Sequence, residues 1–162
     1  MGAGGTHDRE NHVILHLGCG LASIRGAVNH DITKHGDHVD VAHDLDDTPW
    51  PWLDQEFEKL VAFDVVEHLK CEMDEWLNEA WRILKPGGLF WIRVPHYQHE
   101  NAFTDPTHRR FFTPRSFDYW DCTKELHEKY GCYYFAKAAR WWIVQRVEQD
   151  QHGNIEFDLK KQ

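Results

Sequence analysis

Short apolar runs alternate along the chain with glycine, acidic or proline-containing stops. Val13-Ile14-Leu15-His16-Leu17 is halted by Gly18-Cys19-Gly20, the pattern of a buried strand entering a tight turn. A second strand is predicted over 27–32, and the few residues between Gly20 and Ala27 cannot hold a full crossover helix, so this connection is abbreviated. A third strand over 38–42 runs into Asp44-Leu45, after which Pro49-Trp50-Pro51-Trp52 enforces a non-helical path. The run 59–63 predicts a fourth strand that ends on Asp64. Between Glu72 and Leu84 the apolar positions Met73, Trp76, Leu77, Ala80, Trp81 and Leu84 follow helical spacing, so that stripe is core. Lys85-Pro86-Gly87-Gly88 stops the helix before a fifth strand over 89–94. No period is visible over 97–114; Thr113-Pro114 then predicts the N-cap and first residue of a short helix to about Trp120. The segments 140–147 and 155–159 read as a terminal hairpin.

This order of elements predicts an α/β fold, a doubly wound and mostly parallel sheet covered on both faces, with a C-terminal antiparallel hairpin. The 162 residues suit a single domain over 13–162 behind a flexible N-terminus, 1–12. Met1-Gly2-Ala3-Gly4-Gly5-Thr6 formally fits a myristoylation pattern but reads as a frayed end.

Charge narrows the partners. Lys plus Arg is 18 against 27 Asp plus Glu, a net −9, which argues against nucleic acid, and no apolar run approaches the roughly 20 residues of a membrane span. Cys19, Cys71, Cys122 and Cys132 form no Cys-x-x-Cys pair and follow no secretory signal, so a zinc ribbon and a disulfide scaffold are disfavoured and a cytoplasmic setting is expected.

In open α/β sheets, ligands bind outside the carboxyl ends of the strands. Those ends carry Gly18-Cys19-Gly20, Asp31, Asp44, Asp64 and Pro95-His96. Glycine lets the main chain approach a ligand closely, and a carboxylate can accept from a ribose diol or an exocyclic amine, so a nucleoside-like ligand fits.

These residues resemble the motifs of the class I S-adenosylmethionine-dependent methyltransferases over about residues 13–95. Leu15-His16-Leu17-Gly18-Cys19-Gly20 resembles the glycine motif, Asp31 the acid after the second strand, and Asp44-Leu45 the adenine-side motif. Phe63-Asp64-Val65-Val66-Glu67-His68-Leu69 resembles the fourth-strand segment and Leu84-Lys85-Pro86-Gly87-Gly88 the turn before strand five. The resemblance implies S-adenosyl-L-methionine as cofactor, with Leu17, Gly18, Cys19 and Gly20 at its methionine end. It also implies Asp31 on the ribose, Ile32 beside the adenine, Asp44 and Leu45 at the adenine edge, and Phe63, Asp64 and Val65 bordering the methionine moiety. The family usually has an acid at His16, a third glycine at Ala22 and a full first crossover helix, and this chain departs at all three. A dinucleotide-binding fold is the nearest competitor, but it needs a third glycine opening a helix.

The resemblance makes 13–95 the cofactor part, 96–121 the acceptor-facing segment and 130–162 the C-terminal strands. Transfer from a sulfonium needs chiefly positioning, and a base only if the acceptor has a proton to lose. His96, directly after strand five, is the first candidate for that role and His108 the second. A small-molecule acceptor is favoured, and self-association through an apolar patch stays open given eight Trp and nine Phe. The alternative is a non-catalytic module that binds the cofactor or serves as a partner subunit. His16 reads as a core histidine. Glu67 and His68 stand between capping the next helix and touching cofactor, and Arg109, Arg110 and Arg115 between an anionic substrate and ordinary surface pairing. No metal site is expected, since His96, His99, Asp105 and His108 match no helical ligand pair. A zinc hydrolase built on that run is the weakest reading.

Overall fold

A computed structural model describes residues 13–131, 133, 140–147 and 150–162; the N-terminal stretch 1–12 and Cys132 lie outside them. Seven strands build one sheet: β1 (Ile14–Leu17), β2 (Val28–Asp31), β3 (Val41–Ala42), β4 (Phe57–Phe63), β5 (Leu84–Pro95), β6 (Trp141–Val147) and β7 (Asn154–Lys161). Their order is β3-β2-β1-β4-β5-β7-β6. The first five strands pair in parallel, and β7 lies antiparallel to both β5 and β6. The chain therefore winds outward from β1 in both directions, as the doubly wound reading requires, and closes with the expected hairpin. The reversal falls between β1 and β4, so the crevice at their carboxyl ends is where a ligand belongs.

Helix α1 (Met73–Ile83) is the one long helix among the described residues; α2 (Asn101–Thr104) and a π-helical turn, His127–Gly131, are short. Its stripe buries Trp76, Leu77, Ala80 and Ile83, and burial of Leu77 alone contributes about 1.5–3 kcal/mol. Glu75 Oε2 accepts the Glu72 N–H at 3.0 Å, fixing the first turn. The far end is held by β7: buried Lys161 donates to the carbonyls of Trp81 and Leu84, each at 2.7 Å, with its ammonium over the Trp81 ring. Trp76 meets Phe90 of β5 edge-on, and Phe117 joins Trp76 to Phe157 of β7. This face is the core.

The opposite sheet face has a different cover. Lys59 lies over the Trp91 ring and Arg93 over Phe63, while Trp91 Nε1 donates to Glu156 at 3.2 Å. Cover on both faces was expected, yet among the described residues no helix spans the links from β1 to β4. Those links are turns and loops, so long cationic side chains shield the aromatic rings instead.

Two local expectations fail. Strand β5 starts at Leu84, straight from α1, and Pro86-Gly87-Gly88 bulges out within it, the register jumping from Phe57↔Leu84 to Lys59↔Leu89. A Cβ at Gly88 would sit 2.8 Å from Leu84 Cδ2 and 3.0 Å from Glu58 O, which is why this position takes glycine. The helix expected from Thr113 is a chain of i→i+3 turns (Ser116 N→Thr113 O, Asp118 N→Arg115 O, Trp120 N→Phe117 O) that never acquires i→i+4 bonding. Packing of Phe112 on Phe117 and of Phe117 on Phe157 holds this coil.

Candidate active site

The turn after β1 is built from backbone donors and histidine acceptors. Gly18 has φ +61°, and a Cβ there would lie 2.5 Å from Val65 Cγ2, so the tips of β1 and β4 meet only because this residue is glycine. Gly18 N–H donates to His30 Nδ1 at 3.4 Å, and His30 Nε2 lies 2.8 Å from the His43 carbonyl. A carbonyl can only accept, so the proton sits on Nε2 and the ring is neutral. Burial lowers the pKa of His30, in keeping with that state. Gly20 N–H donates to Asp31 Oδ2 at 2.7 Å and Ile32 N–H to Oδ1 at 2.8 Å. Each oxygen keeps a further lone pair, so a diol can still be received at Asp31.

The far wall is acidic. Asp44 Oδ1 accepts the Asp46 N–H at 3.0 Å, and Asp46 Oδ1 accepts from Lys70 N at 2.7 Å and Cys71 N at 2.9 Å. Burial acts to raise the pKa of Asp46, but those N–H groups outweigh it and lower the value. Asp46 thus ties the loop after β3 to the loop after β4. Between these walls lies a cavity of about 360 Å³ lined by Gly18, Gly20, Asp31, Asp44, Asp64 and His68, among others. A larger cavity of about 720 Å³, between the start of α1 and residues 110–126, contains none of the strand-tip residues.

At the cavity's other end the segment after β5 folds back. The Glu67 carbonyl accepts from Arg109 N at 2.8 Å and Arg110 N at 3.2 Å, and the Arg110 guanidinium donates to the Leu69 and Cys71 carbonyls. Arg110 is therefore a structural clasp. This stitching sets His108 Nε2 4.0 Å from Glu67 Oε1, with the His68 and His108 ring centroids 4.7 Å apart. Glu67 is 1% exposed and neither carboxyl oxygen has a hydrogen-bond partner; burial, above all, pushes its carboxyl up to about 8. His68 is half-buried, and burial lowers its pKa.

Of the residues expected around the cofactor, Gly18, Gly20, Asp31, Ile32, Asp44, Leu45, Asp64 and Val65 line the cavity together. Leu17 turns into the core, Cys19 is buried with its N–H given to the His30 carbonyl, and Phe63 packs edge-on against Trp91. Asp64 also pairs with Arg93. His96 is buried, pairs in a bridge with Phe112, takes the Gln98 N–H on Nδ1 at 3.1 Å, and does not line the cavity. His108 does not line the cavity either, but its ring packs against that of His68, which does. Glu67 and His68 do not cap α1, whose N-cap is Glu72. His68, weighed between capping and cofactor contact, lines the cavity, and so do His30, His43, Asp46, Leu69 and Lys70, which were not singled out as cofactor ligands. His30 adjoins Asp31, and His43 and Asp46 flank Asp44-Leu45, which was the available signal.

A family model described as "Methyltransferase domain" matches residues 15–92. A methyltransferase from Thermotoga maritima superposes with a TM-score of 0.60 at 14% identity, covering 92% of this chain and 82% of its own. An Archaeoglobus fulgidus methyltransferase gives 0.58 at 16%, covering 91% and 85%. A structure of the Haloferax volcanii Trm112 methyltransferase activator complexed with a methyltransferase gives 0.59 at 15%, covering 94% and 83%. No curated protein sequence matches.

Proposed function

We propose that the chain is a class I S-adenosylmethionine-dependent methyltransferase with S-adenosyl-L-methionine as its cofactor, and that it methylates a small acceptor seated at the His68 end of the cavity. The observation that carries this reading is the strand-tip cavity, where glycine backbone and the carboxylates of Asp31, Asp44 and Asp64 converge while His68 faces in from the other end. The residues fit the cofactor: the cradle at Gly18 admits no side chain, and the acidic walls offer lone pairs for hydroxyl and amino donors. Asp31 would hold the ribose, Ile32, Asp44 and Leu45 the adenine, and Gly18, Gly20, Asp64 and Val65 the methionine end.

When bound, the cofactor supplies a methyl carbon already activated by sulfonium, so alignment supplies most of the rate. The chain's own part is to fix that alignment. Gly20 N–H and Ile32 N–H hold the Asp31 carboxylate in place, the Asp46 clamp fixes the facing loops, and the Arg109-Arg110 stitch seats His108 at the acceptor end. Of the two histidines expected to orient or deprotonate the acceptor, this reading keeps His108, whose ring packs against cavity-lining His68 and whose Nδ1 donates to the Ala102 carbonyl at 2.9 Å, leaving Nε2 free. The net charge of −9 favours an uncharged or cationic acceptor over a polyanion.

Calorimetry with S-adenosylhomocysteine tests the reading: one site per chain is expected, and no heat at millimolar ligand overturns it. A second reading, a module that binds the cofactor without turning it over, is favoured by one observation. His16, at the position where an acid is usual, is 4% exposed and hydrogen-bonded to Asn29. Binding without methyl transfer to any of a panel of amine and hydroxyl acceptors would select it.

A further inference from the structure

We propose that Glu67, His68 and His108 bind one divalent transition-metal ion at the acceptor end of the cavity, leaving a coordination position open for an acceptor oxygen or nitrogen. The three side chains each offer a ligand atom, and these atoms lie within 4.8 Å of one another. Two neutral imidazoles and a carboxylate form a donor set that zinc and the ions beside it in the first transition row accept. Glu67 supplies the independent observation: a carboxyl group 1% exposed, with no partner for either oxygen, pointing at two rings. Burying such a group without a partner is unfavourable, and a bound cation removes that penalty.

The hydrogen bonds behind the rings fix their protons so that both can ligate. His108 Nδ1 lies 2.9 Å from the Ala102 carbonyl, so Nδ1 carries the proton and Nε2 presents its lone pair toward Glu67 Oε1. Thr107 Oγ1 donates to Asp105 Oδ1 at 2.7 Å and so can only accept at its other contact, His68 Nδ1, at 2.9 Å. His68 is thereby left with a free lone pair on Nε2. Outer hydrogen bonds of this kind, a backbone carbonyl on one ring and a carboxylate relay on the other, orient metal-ligating histidines. Tetrahedral ligands sit about 3.4 Å apart, so side-chain rotation closing the cluster by up to about 1.4 Å from its 4.8 Å span completes the site. The expectation of no metal was drawn from the run 96–108 alone. Two of these three ligands come from the loop after β4, and His96 and His99 take no part.

The proposal deepens the methyltransferase reading, since the ion held by His108 Nε2 would meet the acceptor at its open position in place of His108 itself; its test is separable from that reading. Chelator-stripped full-length protein is titrated with Co²⁺, following ligand-field absorption in the visible, and in parallel with S-adenosylhomocysteine by calorimetry. One equivalent of Co²⁺, displaced by Zn²⁺, is expected. His108→Ala and Glu67→Gln should abolish stoichiometric binding, and Thr107→Val, changing an exposed relay residue, should weaken it by roughly 10–100-fold. S-adenosylhomocysteine binding reports that each variant is folded. No saturable Co²⁺ binding by the wild-type chain, or unchanged affinity in the folded Thr107→Val and His108→Ala variants, overturns the metal site. Nucleoside binding without metal leaves the methyltransferase reading standing, and metal binding without nucleoside leaves the ion site standing alone.

Discussion

Asp31 has two tasks at once: it organises the glycine turn through Gly20 N–H and lies on the cavity wall. Asp31→Ala should weaken S-adenosylhomocysteine binding by about 1.5–3 kcal/mol in calorimetry, the range for a hydrogen bond to a charged group. Unchanged affinity would remove it from the site. Gly18→Ala combines two penalties, left-handed backbone at roughly 1–2 kcal/mol and a clash with Val65 at roughly 1–3 kcal/mol. Denaturant unfolding of Gly18→Ala/Val65→Gly against each single variant separates them, because removing the whole Val65 side chain, whose Cγ2 and Cβ would lie 2.5 and 2.8 Å from the new Cβ, relieves the clash and leaves the backbone strain. Asp31, Asp44 and Asp64 were legible in the sequence because residues at or just past the end of a strand have a fixed place in this architecture. The Glu67–His108 contact was not: it depends on backbone bonds from Arg109 and Arg110 to Glu67, which no local pattern encodes.

Among the elements, α1 lays a buried apolar stripe against the sheet. Trp76 is fully buried between Phe90 and Phe117, so Trp76→Ala should cost about 3–5 kcal/mol, read as a lowered urea midpoint with little change in slope. Strands β1 and β4 and helix α1 were readable from apolar runs and period, since each presents an uninterrupted buried face. The start of β5 was not, because proline and glycine that ordinarily end an element are accommodated here in a bulge. The coil over 113–120 misled for the opposite reason: a sound N-terminal helix signal was overridden by aromatic packing of Phe112 and Phe117.

For the molecule as a whole, acid sensitivity should come first from buried histidines. Burial lowers the pKa values of His30 and His16 below the ordinary 6.5. In the pH range just under that value the unfolded chain binds protons that the folded chain does not, so stability is full above 6.5 and declines as pH falls through the depressed values. Asp31, Asp44 and His43 also face His30, and the two carboxylates limit the depression. Glu67, whose carboxyl is pushed up to about 8, works in the opposite direction over this range, so the His30 contribution is read as a difference: from about pH 7 to about pH 5 the melting temperature of the wild-type chain should fall relative to that of His30→Gln. A slope the same in both proteins would acquit His30. The ammonium of Lys161 clasping the Trp81 and Leu84 carbonyls has a kinetic corollary. The end of the helix and the final strand should open together, so their slowest amide protons should exchange with deuterium at matching rates.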